Sequence, residues 1–330
     1  MICSDLTYKL LVLSKIKGIG AKALKQLASI DNFSTLNFKD LAEEHKVLKK
    51  KMEYSDISLA EQEADNDIAE AQKVEARIIS ILDKEYPTLM ADTNDSPTIL
   101  YVKGNWHTDS NKSIGIIGTR EPTKHGTIIT ERISDYFCEN DYSIVSGLAI
   151  GCDTIAHERA LQNNAHTIAV LSHGLQTIAP KQNEQLAKEI LDSGGLILTE
   201  YPFGTPVRPF QYVQRDKIQA ALSQAIIMIQ SGLKGGSLHA SRAILKYNRI
   251  LVTPYPTEQD IINNKSNVEA NIVIASYKED IVKELLFCED KHLDNIIVLR
   301  GKEDYSAIIK QIQLQLEKNI STSKKSLFDY

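Results

Sequence analysis

The sequence has few cysteines and no long apolar run. Its 330 residues include four cysteines, which lie far apart and form no C-x-x-C pair, so neither a zinc ribbon nor a redox motif is indicated. No apolar stretch approaches the roughly 20 residues that a membrane-spanning helix needs. The N-terminus lacks the basic and apolar segments of a secretion signal, so we expect a cytoplasmic protein without membrane contact.

Several signatures of enzymes and cofactor sites are also missing. The eight histidines are scattered without metal-ligand spacing, and no G-x-G-x-x-G, Walker A or G-x-S-x-G pattern occurs. We therefore expect no metal and no cofactor. Asp153 and His157 lie one helical turn apart, and we interpret them as a helix N-cap and its hydrogen-bonded partner, not as catalytic groups.

The overall composition is ordinary, but charge is distributed unevenly along the chain. Hydrophobic residues make up 42% and charged residues 25%, with a net charge of −5, and the length suggests about two domains. Residues 40–95 hold 15 acidic and 7 basic side chains, whereas residues 205–253 hold 7 basic and one acidic. The basic segment indicates either an anion-binding site or a solvated basic face.

The first part of the chain has the apolar spacing of helices up to about residue 82. Gly18 and Gly20 separate two of these helical stretches. This turn resembles the helix-hairpin-helix motif, whose backbone N–H groups contact DNA phosphates. A tight helix–helix turn without a ligand is the alternative interpretation.

Beyond residue 98 short apolar runs alternate with helical stretches, which is typical of a parallel, doubly wound α/β sheet. The predicted strands are 98–102, 113–117, 143–145, 167–171, 196–198, 225–229 and 250–252. The predicted helices are 128–138, 154–161, 183–192 and 237–246. Ligands of such sheets bind outside the carboxyl ends of the strands, where the strand order reverses.

Glycine-containing turns follow four of these strands. They are residues 118–120, 146–153, 172–175 and 230–237. Glycine lets the backbone approach a ligand closely, and N–H groups at a helix start bind phosphate. Arg120 and Lys234 accompany two of the turns, so we predict an anion-binding groove along this edge.

Together these motifs resemble the DprA/Smf family of bacterial DNA-processing proteins. Gly118-Thr119-Arg120 is similar to the family's G-S-R turn, and residues 146–157 are similar to its S-G-x-A-x-G-I-D-x-x-A-H segment. Further matches follow in the family's order: 167–175, Pro180-x-x-Asn183, Glu200-Tyr201-Pro202 and Gly236-Ser237-Leu238. The resemblance extends from about residue 6 to residue 285.

The resemblance implies an extended Rossmann-like fold with a small, all-helical, sterile-alpha-motif-like N-terminal domain. We expect the helical domain over residues 1–84, the Rossmann-like domain over 85–288 and a short C-terminal extension over 289–330, without a full winged helix. The family implies a homodimer that binds single-stranded DNA, displaces or cooperates with single-strand-binding protein, and loads RecA-type recombinase during natural transformation. No enzymatic activity is implied.

The predicted DNA-binding residues combine the glycine turns with side chains carried over from the family. The family's strand-contacting arginine matches Arg120, a basic residue after its Y-P turn matches Lys181, and its aromatic–P–x–R–N–R segment matches residues 212–217. Cations attract the backbone, and Tyr212 offers a face on which a base can stack. The full predicted set is Gly118, Arg120, Ser146, Gly147, Gly151, Lys181, Tyr212, Arg215, Lys217, Lys234, Gly236 and Ser237.

The chain departs from the family pattern at several positions. Val213, Asp216 and Lys217 replace proline, asparagine and arginine, and Asp216 puts a negative charge where DNA passes, paired with Arg215 or Lys217. The C-terminal extension has the pattern of a strand over 295–299 and an amphipathic helix over 305–317.

A nucleotide-derivative sensor, with a role such as phage defence, or a hydrolase of the same superfamily is the alternative function. The sheet is similar to phosphoribohydrolases of the lysine-decarboxylase-like type, which carry P-G-G-x-G-T followed by a catalytic glutamate. The corresponding segment here, residues 235–240, contains no glutamate, which argues against hydrolysis.

Overall fold

A computed structural model describes residues 1–44, 48–49, 57–263 and 265–328, with only the backbone described at 44 and 320–328. The N-terminal helices are α1 (Asp5–Lys15), α2 (Ala21–Ala28), α3 (Phe38–Glu44), α4 (Ile57–Lys73) and α5 (Thr88–Ala91). The later helices are α6 (Lys124–Glu139), α7 (Cys152–Gln162), α8 (Glu184–Asp192), α9 (Pro209–Leu222), α10 (Leu238–Lys246), α11 (Glu258–Ile262), α12 (Glu269–Ala275), α13 (Glu279–Leu286) and α14 (Tyr305–Phe328).

The described residues build a nine-stranded sheet. Its strands are β1 (Ala76–Ser80), β2 (Ile99–Gly104), β3 (Ser113–Ile117), β4 (Ser143–Ser146), β5 (Thr167–Val170), β6 (Leu196–Thr199), β7 (Ala225–Met228), β8 (Ile250–Pro254) and β9 (Ile296–Leu299). The order is β1-β2-β6-β5-β4-β3-β7-β8-β9. From β6 to β9 all neighbours pair in parallel, and β1 and β2 add antiparallel at one edge.

Helices cover both faces of this sheet, which confirms the predicted Rossmann-like α/β class. On one face α6, α7 and α14 pack on β3, β4, β7 and β8, and α8 packs on β5 and β6. On the other face lie α5, α9 and α10 with α12 and α13. Because β4 to β6 extend to one side of β3 and β7 to β9 to the other, the strand order reverses between β3 and β7. A ligand site is therefore expected above the carboxyl ends of these two strands.

The N-terminal helices form their own apolar cluster, which continues onto the edge of the sheet. Ser4 accepts the backbone N–H of Thr7 and so caps α1, while Leu10, Leu11 and Leu13 are fully buried. The hydroxyl of Thr7 donates to Ser80 in β1 at 2.7 Å. The helices are thereby joined to the sheet by hydrogen bonds as well as by apolar packing.

The helical prediction was wrong for residues 76–80, which form β1. The apolar, β-branched sequence of this segment pairs in register with β2, for example Ile78 opposite Tyr101, and this pairing outweighs its helical flanks. Helix α9 was not predicted as an element, although its sequence was singled out. The predicted domain boundary at residue 84 stays a prediction, and β1 on its N-terminal side belongs to the sheet.

The C-terminal extension completes the sheet. Strand β9 pairs in parallel with β8, and α14 buries Ile308 and Ile312 against the face that carries α6. The strand predicted at 295–299 and the helix predicted at 305–317 are both confirmed. In the part of the chain that the structure describes, no helix is long and apolar enough to cross a bilayer.

Candidate functional site

A cavity of about 320 Å³ opens where the strand order reverses. Its walls come from the turn after β3, the turn after β4, the helix α9 and the turn between β7 and α10. The predicted residues Gly118, Arg120, Tyr212, Arg215, Gly236 and Ser237 all line it. The fold therefore brings half of the predicted site residues to one place.

Two arginines flank the ring of Tyr212 at the side of this cavity. The guanidinium carbons of Arg120 and Arg215 each lie 5.6 Å from the ring centroid, a distance typical of cation–π contacts. Arg120 is exposed, whereas Arg215 is 6% exposed. The stack thus offers one accessible cation at the rim and one held within the wall.

Arg215 is fixed by two buried carboxylates. Its Nε lies 3.0 Å from Asp216 Oδ1, and its Nη1 lies 3.9 Å from Asp153 Oδ2. Burial raises the pKa of Asp216 to about 6, against the opposing pull of Arg215, and Asp153 adds to the rise. Asp216 is therefore paired with Arg215, which is one of the two partners predicted from the sequence.

The turn after β4 is braced by Asp153. Its Oδ2 accepts the N–H of Gly147 at 3.1 Å and of Ala149 at 3.3 Å. The interpretation of Asp153 as a helix N-cap was wrong, because Gly151 occupies the N-cap of α7. Gly151 has φ of 86°, and a Cβ there would lie 2.5 Å from the carbonyl oxygen of Thr119. Glycine is required because the two turns touch at this point.

His157 is buried behind this turn and does not pair with Asp153. Its Nδ1 lies 2.7 Å from the hydroxyl of Thr167, and its Nε2 has no partner in the described part of the chain. Burial, followed by the charge of Arg215, lowers the pKa of His157 to about 3. The imidazole is therefore neutral at physiological pH.

The start of α10 closes the opposite wall. The hydroxyl of Ser237 donates to Ser231 at 2.8 Å, and the open surface at Gly236 leaves the backbone accessible. Among the described residues the backbone N–H groups of Gly236 and Ser237 have no hydrogen-bond partner. Such groups at a helix N-terminus, beside Arg120, form a favourable environment for a phosphate.

The other predicted residues lie elsewhere. Ser146 is fully buried and donates to the carbonyl oxygen of Ile116 at 2.6 Å. Lys234 lines a separate cavity of about 400 Å³ together with Ser266 and Glu269, and Lys181 lines another cavity of about 590 Å³ beside α8. Lys217 lies 3.9 Å from Asp95, outside the lining of the first cavity. Of the five basic side chains in the predicted set, Arg120 and Arg215 line the first cavity and the three lysines do not.

The basic segment 205–253 is similarly dispersed. Arg249 is 4% exposed and donates to the carbonyl oxygens of Ala220, Ala221 and Ser223 at the end of α9. Arg242 donates to the carbonyl oxygen of Leu285 at 2.8 Å, and Lys246 pairs with Asp95 at 2.9 Å. The excess of positive charge in the sequence therefore does not form a single anion-binding face.

Two residues that the sequence analysis did not select belong to this region. Gln219 lines the cavity and is 1% exposed, and its Nε2 donates to Asp216 Oδ1 at 3.1 Å. Phe210 lies in the first turn of the same helix, outside the lining of the cavity, with 60% of its surface exposed. Residues 215 and 216 lie three or four positions from both 212 and 219, so all four share one face of a helix, and this spacing could have indicated Gln219.

The arrangement suits the binding of an anion with an attached planar group. Arg120 and the free N–H groups of α10 supply positive charge and donors, and the ring of Tyr212 lies beside Arg120. No group of three or more His, Cys, Asp or Glu side chains within the described ranges is placed to hold a metal ion.

The sequence of this chain is similar to the sequences of known proteins. The sequence profile of the DNA recombination-mediator protein A family matches residues 77–285. Protein Smf of Synechocystis sp. is 38% identical over 186 residues, which are 55% of this chain and 46% of that protein. The chain thus spans about half the length of the curated relatives that it matches.

Two solved structures have the same fold. DNA processing protein A of Streptococcus pneumoniae superimposes with a TM-score of 0.61 and 27% identity, covering 81% of this chain and 96% of that one. DNA processing protein A of Helicobacter pylori, described with its single-stranded DNA binding mode, superimposes with a TM-score of 0.50 and 27% identity, covering 64% and 97%. Because the family profile matches well over half of its residues, this chain belongs to the DNA recombination-mediator protein A family.

Proposed function

We propose that the chain binds single-stranded DNA at the carboxyl edge of the sheet and acts there as a recombination mediator. The observation that carries this proposal is the Arg120–Tyr212–Arg215 stack at the mouth of the cavity. Single strands are bound by cationic grooves that follow the backbone and by aromatic faces on which bases stack. The stack supplies both elements side by side, because each guanidinium carbon lies 5.6 Å from the centroid of the Tyr212 ring.

A phosphate fits between Arg120 and the start of α10. Arg120 is exposed, and the backbone N–H groups of Gly236 and Ser237 lack partners among the described residues. Charge-assisted hydrogen bonds from a guanidinium and from helix N-terminal amides are the strongest contacts available to a phosphate. Arg215 is held by carboxylates, so its role is to position Tyr212 and Asp216 more than to contact phosphate.

Bases adjacent to that phosphate have exposed apolar surfaces to contact. Phe210 is 60% exposed and Val207, three residues earlier, is 41% exposed. Base–aromatic stacking contributes about 1–3 kcal/mol per base in proteins of this kind. Lys181, with Lys103 and Lys188 around the second cavity, provides a further cationic surface for the strand.

The finer role is proposed from the resemblance to the family. We propose that the protein loads a RecA-type recombinase onto the strand during DNA uptake and natural transformation, cooperates with or displaces single-strand-binding protein, and forms a homodimer. The family name supports mediation of recombination. The structure of the relative from Helicobacter pylori, which describes a single-stranded DNA binding mode of that protein, supports the choice of ligand. No catalytic step belongs to this proposal.

A nucleotide-derivative sensor or hydrolase remains the second candidate. The cavity of about 320 Å³ has the size of a small-molecule site, and the buried Asp216 in its wall opposes a polyanion. These two observations favour a small ligand bound by contacts to its base or sugar.

A comparison of ligands separates the two candidates. Thermal shift is measured with an oligo-dT strand and with mononucleotides, and anisotropy of the labelled strand is measured at low salt. We expect the strand to stabilise the protein and an Arg120→Ala/Arg215→Ala double variant to lose this binding. Stabilisation by mononucleotides without any binding of the strand would replace the DNA proposal by the sensor.

A further inference from the structure

Two side chains that carry hydrogen-bond acceptors, Asp216 and Gln219, line the wall of the cavity that α9 forms. Asp216 is 7% exposed, and its Oδ1 accepts a hydrogen bond of 3.1 Å from Nε2 of Gln219. This bond sets the orientation of the Gln219 amide, so that its Oε1 is an acceptor. That oxygen is buried and has no partner within the described residues. A buried acceptor without a donor destabilises the protein by the free energy of its lost hydration. A ligand that donates a hydrogen bond to this oxygen would remove that penalty.

The base edges differ in how well they suit such a wall. Guanine presents two adjacent donor groups, its ring N–H and its exocyclic amine, whereas adenine and cytosine place one donor group beside an acceptor. Thymine has a single ring N–H between two carbonyl oxygens, and these would face the carboxylate. Guanine is therefore the base whose edge matches two acceptors.

We propose that the cavity selects guanine from a bound single strand. The carboxylate of Asp216 accepts hydrogen bonds from the ring N–H and the exocyclic amine, and Gln219 Oε1 accepts the second hydrogen of that amine. This inference rests on the proposed binding of single-stranded DNA and adds a base preference to it. It makes Asp216 and Gln219 specificity-determining residues.

The surroundings of Asp216 fit this role. Arg215 lies 3.0 Å from its Oδ1 and favours the ionised form that guanine needs. Tyr212, one turn earlier on α9, lines the same cavity and offers part of its ring as a neighbour for the base. The cavity volume of about 320 Å³ lies within the range of about 300–1,000 Å³ of pockets that enclose small ligands.

The test uses short strands that differ at one base. The labelled strands are about eight thymidines long, which lies within the site sizes of proteins that bind single strands. Their central base is guanine, hypoxanthine, adenine or thymine. A single guanine avoids four-stranded assemblies. Anisotropy is measured at about pH 8, where Asp216 is ionised because its pKa is about 6.

We expect the guanine strand to bind about tenfold more tightly than the thymine strand, as a matched pair of base hydrogen bonds would give. Hypoxanthine, which lacks the exocyclic amine, should lie between them. Equal dissociation constants for all four strands would overturn the base preference and leave the proposed DNA binding intact. Failure of every strand to bind would instead refute the proposed function and, with it, this inference.

Two variants assign the preference to its residues. In Asp216→Asn the guanine preference should fall below about twofold while the thymine strand binds at least as tightly, because a negative charge is removed. In Gln219→Met guanine should lose affinity and hypoxanthine should not. Asp280→Asn, at an exposed position outside the cavity, is the matched control and should keep the preference. A full preference in Asp216→Asn would overturn the assignment.

Competition with free deoxyguanosine monophosphate tests whether the cavity binds guanine within a strand or as a free nucleotide. We expect it to displace the guanine strand only weakly, because a mononucleotide lacks the neighbouring phosphates and bases. Displacement at the concentrations at which the strand itself binds would assign the site to a free guanine nucleotide and overturn its use for a strand.

Discussion

The guanidinium of Arg215 lies directly against the backbone of Gly147. A Cβ at residue 147 would fall 1.3 Å from Arg215 Nη1, so any side chain there displaces the arginine. The turn after β4 and the helix α9 are therefore matched to each other through one glycine. Because Arg215 also pairs with Asp216 and contacts Tyr212, this glycine affects the geometry of the part of the cavity wall that α9 forms.

Gly147→Ala should disturb both stability and DNA binding. The displaced Arg215 leaves two buried carboxylates less well compensated, and overpacking of this kind costs about 1–3 kcal/mol. We expect a lower midpoint of urea unfolding and weaker binding of an oligo-dT strand. Gly236→Ala is the stability control, since a Cβ there meets nothing within 4 Å. A Gly147→Ala variant as stable as the wild type would contradict the described packing.

DNA binding should strengthen as the pH falls through 6. Burial raises the pKa of Asp216 to about 6, so its negative charge disappears below that pH and no longer opposes phosphate. The charged groups acting on it are Arg215, Arg120 and Asp153. The pKa of His157 is lowered to about 3, so that ring stays neutral over this range, and burial also lowers the pKa of His173. From pH 8 to 5.5 we expect roughly a fivefold gain in affinity for oligo-dT.

Asp216→Asn separates this residue from other titrating groups. Its affinity for oligo-dT should change little over the same pH range, because the carboxylate that titrates in the wild type is absent. Asp216 also makes the free energy of unfolding depend on pH. A carboxyl whose pKa is raised from 3.8 to about 6 on folding stabilises the native state at low pH and loses that contribution as the pH rises through 6. The variant should therefore gain stability relative to the wild type between pH 5 and about 8.

Arg249 should matter for stability and not for DNA. Its guanidinium satisfies carbonyl oxygens of Ala220, Ala221 and Ser223 at the end of α9, and one of Leu89. Arg249→Met leaves these buried acceptors without a donor, at a cost of about 3 kcal/mol or more. Thermal unfolding measures the loss. Arg300→Met, at an exposed arginine, should change stability by less than about 0.5 kcal/mol.

Lys217 is a weaker candidate for DNA contact than Arg120. It is partly buried and lies 3.9 Å from Asp95, outside the lining of the cavity. We expect Lys217→Ala to reduce affinity for oligo-dT by less than about threefold, whereas Arg120→Ala removes a phosphate contact and reduces it further. Equal losses in both variants would show that the strand also contacts the Asp95 side of α9.

The parallel strands were predictable from the sequence because each is a short apolar run buried on both faces. Residues 113–117 were predicted as they occur, and the others differ by two residues or fewer at either end. The strand β1 was not predicted. Its five residues adjoin a charged helix, and only the long-range pairing with β2 determines their conformation.

The cavity was predictable where the sequence marks it with glycine and arginine, as at Gly118, Arg120 and Gly236. The buried roles of Ser146 and Arg249 were not, because a sequence shows the charge or hydroxyl of a side chain and not the carbonyl group that it meets. Lys217 and Arg215 are two residues apart on one helix and so project in different directions. Their separation follows from α9, which the sequence analysis did not predict.

The salt dependence of oligo-dT binding tests the proposed interface most directly. Anisotropy titrations of a labelled strand at about 50 mM and about 200 mM salt should show an affinity loss of about tenfold or more, since counterions are released from several phosphates. In Arg120→Ala the slope of log affinity against log salt should be smaller by about 1. Arg300→Ala, an exposed arginine that likewise lies over a tyrosine ring, should keep the full slope. No binding at the lower salt concentration, or the same slope in Arg120→Ala as in the wild type, would contradict a DNA strand at this edge of the sheet.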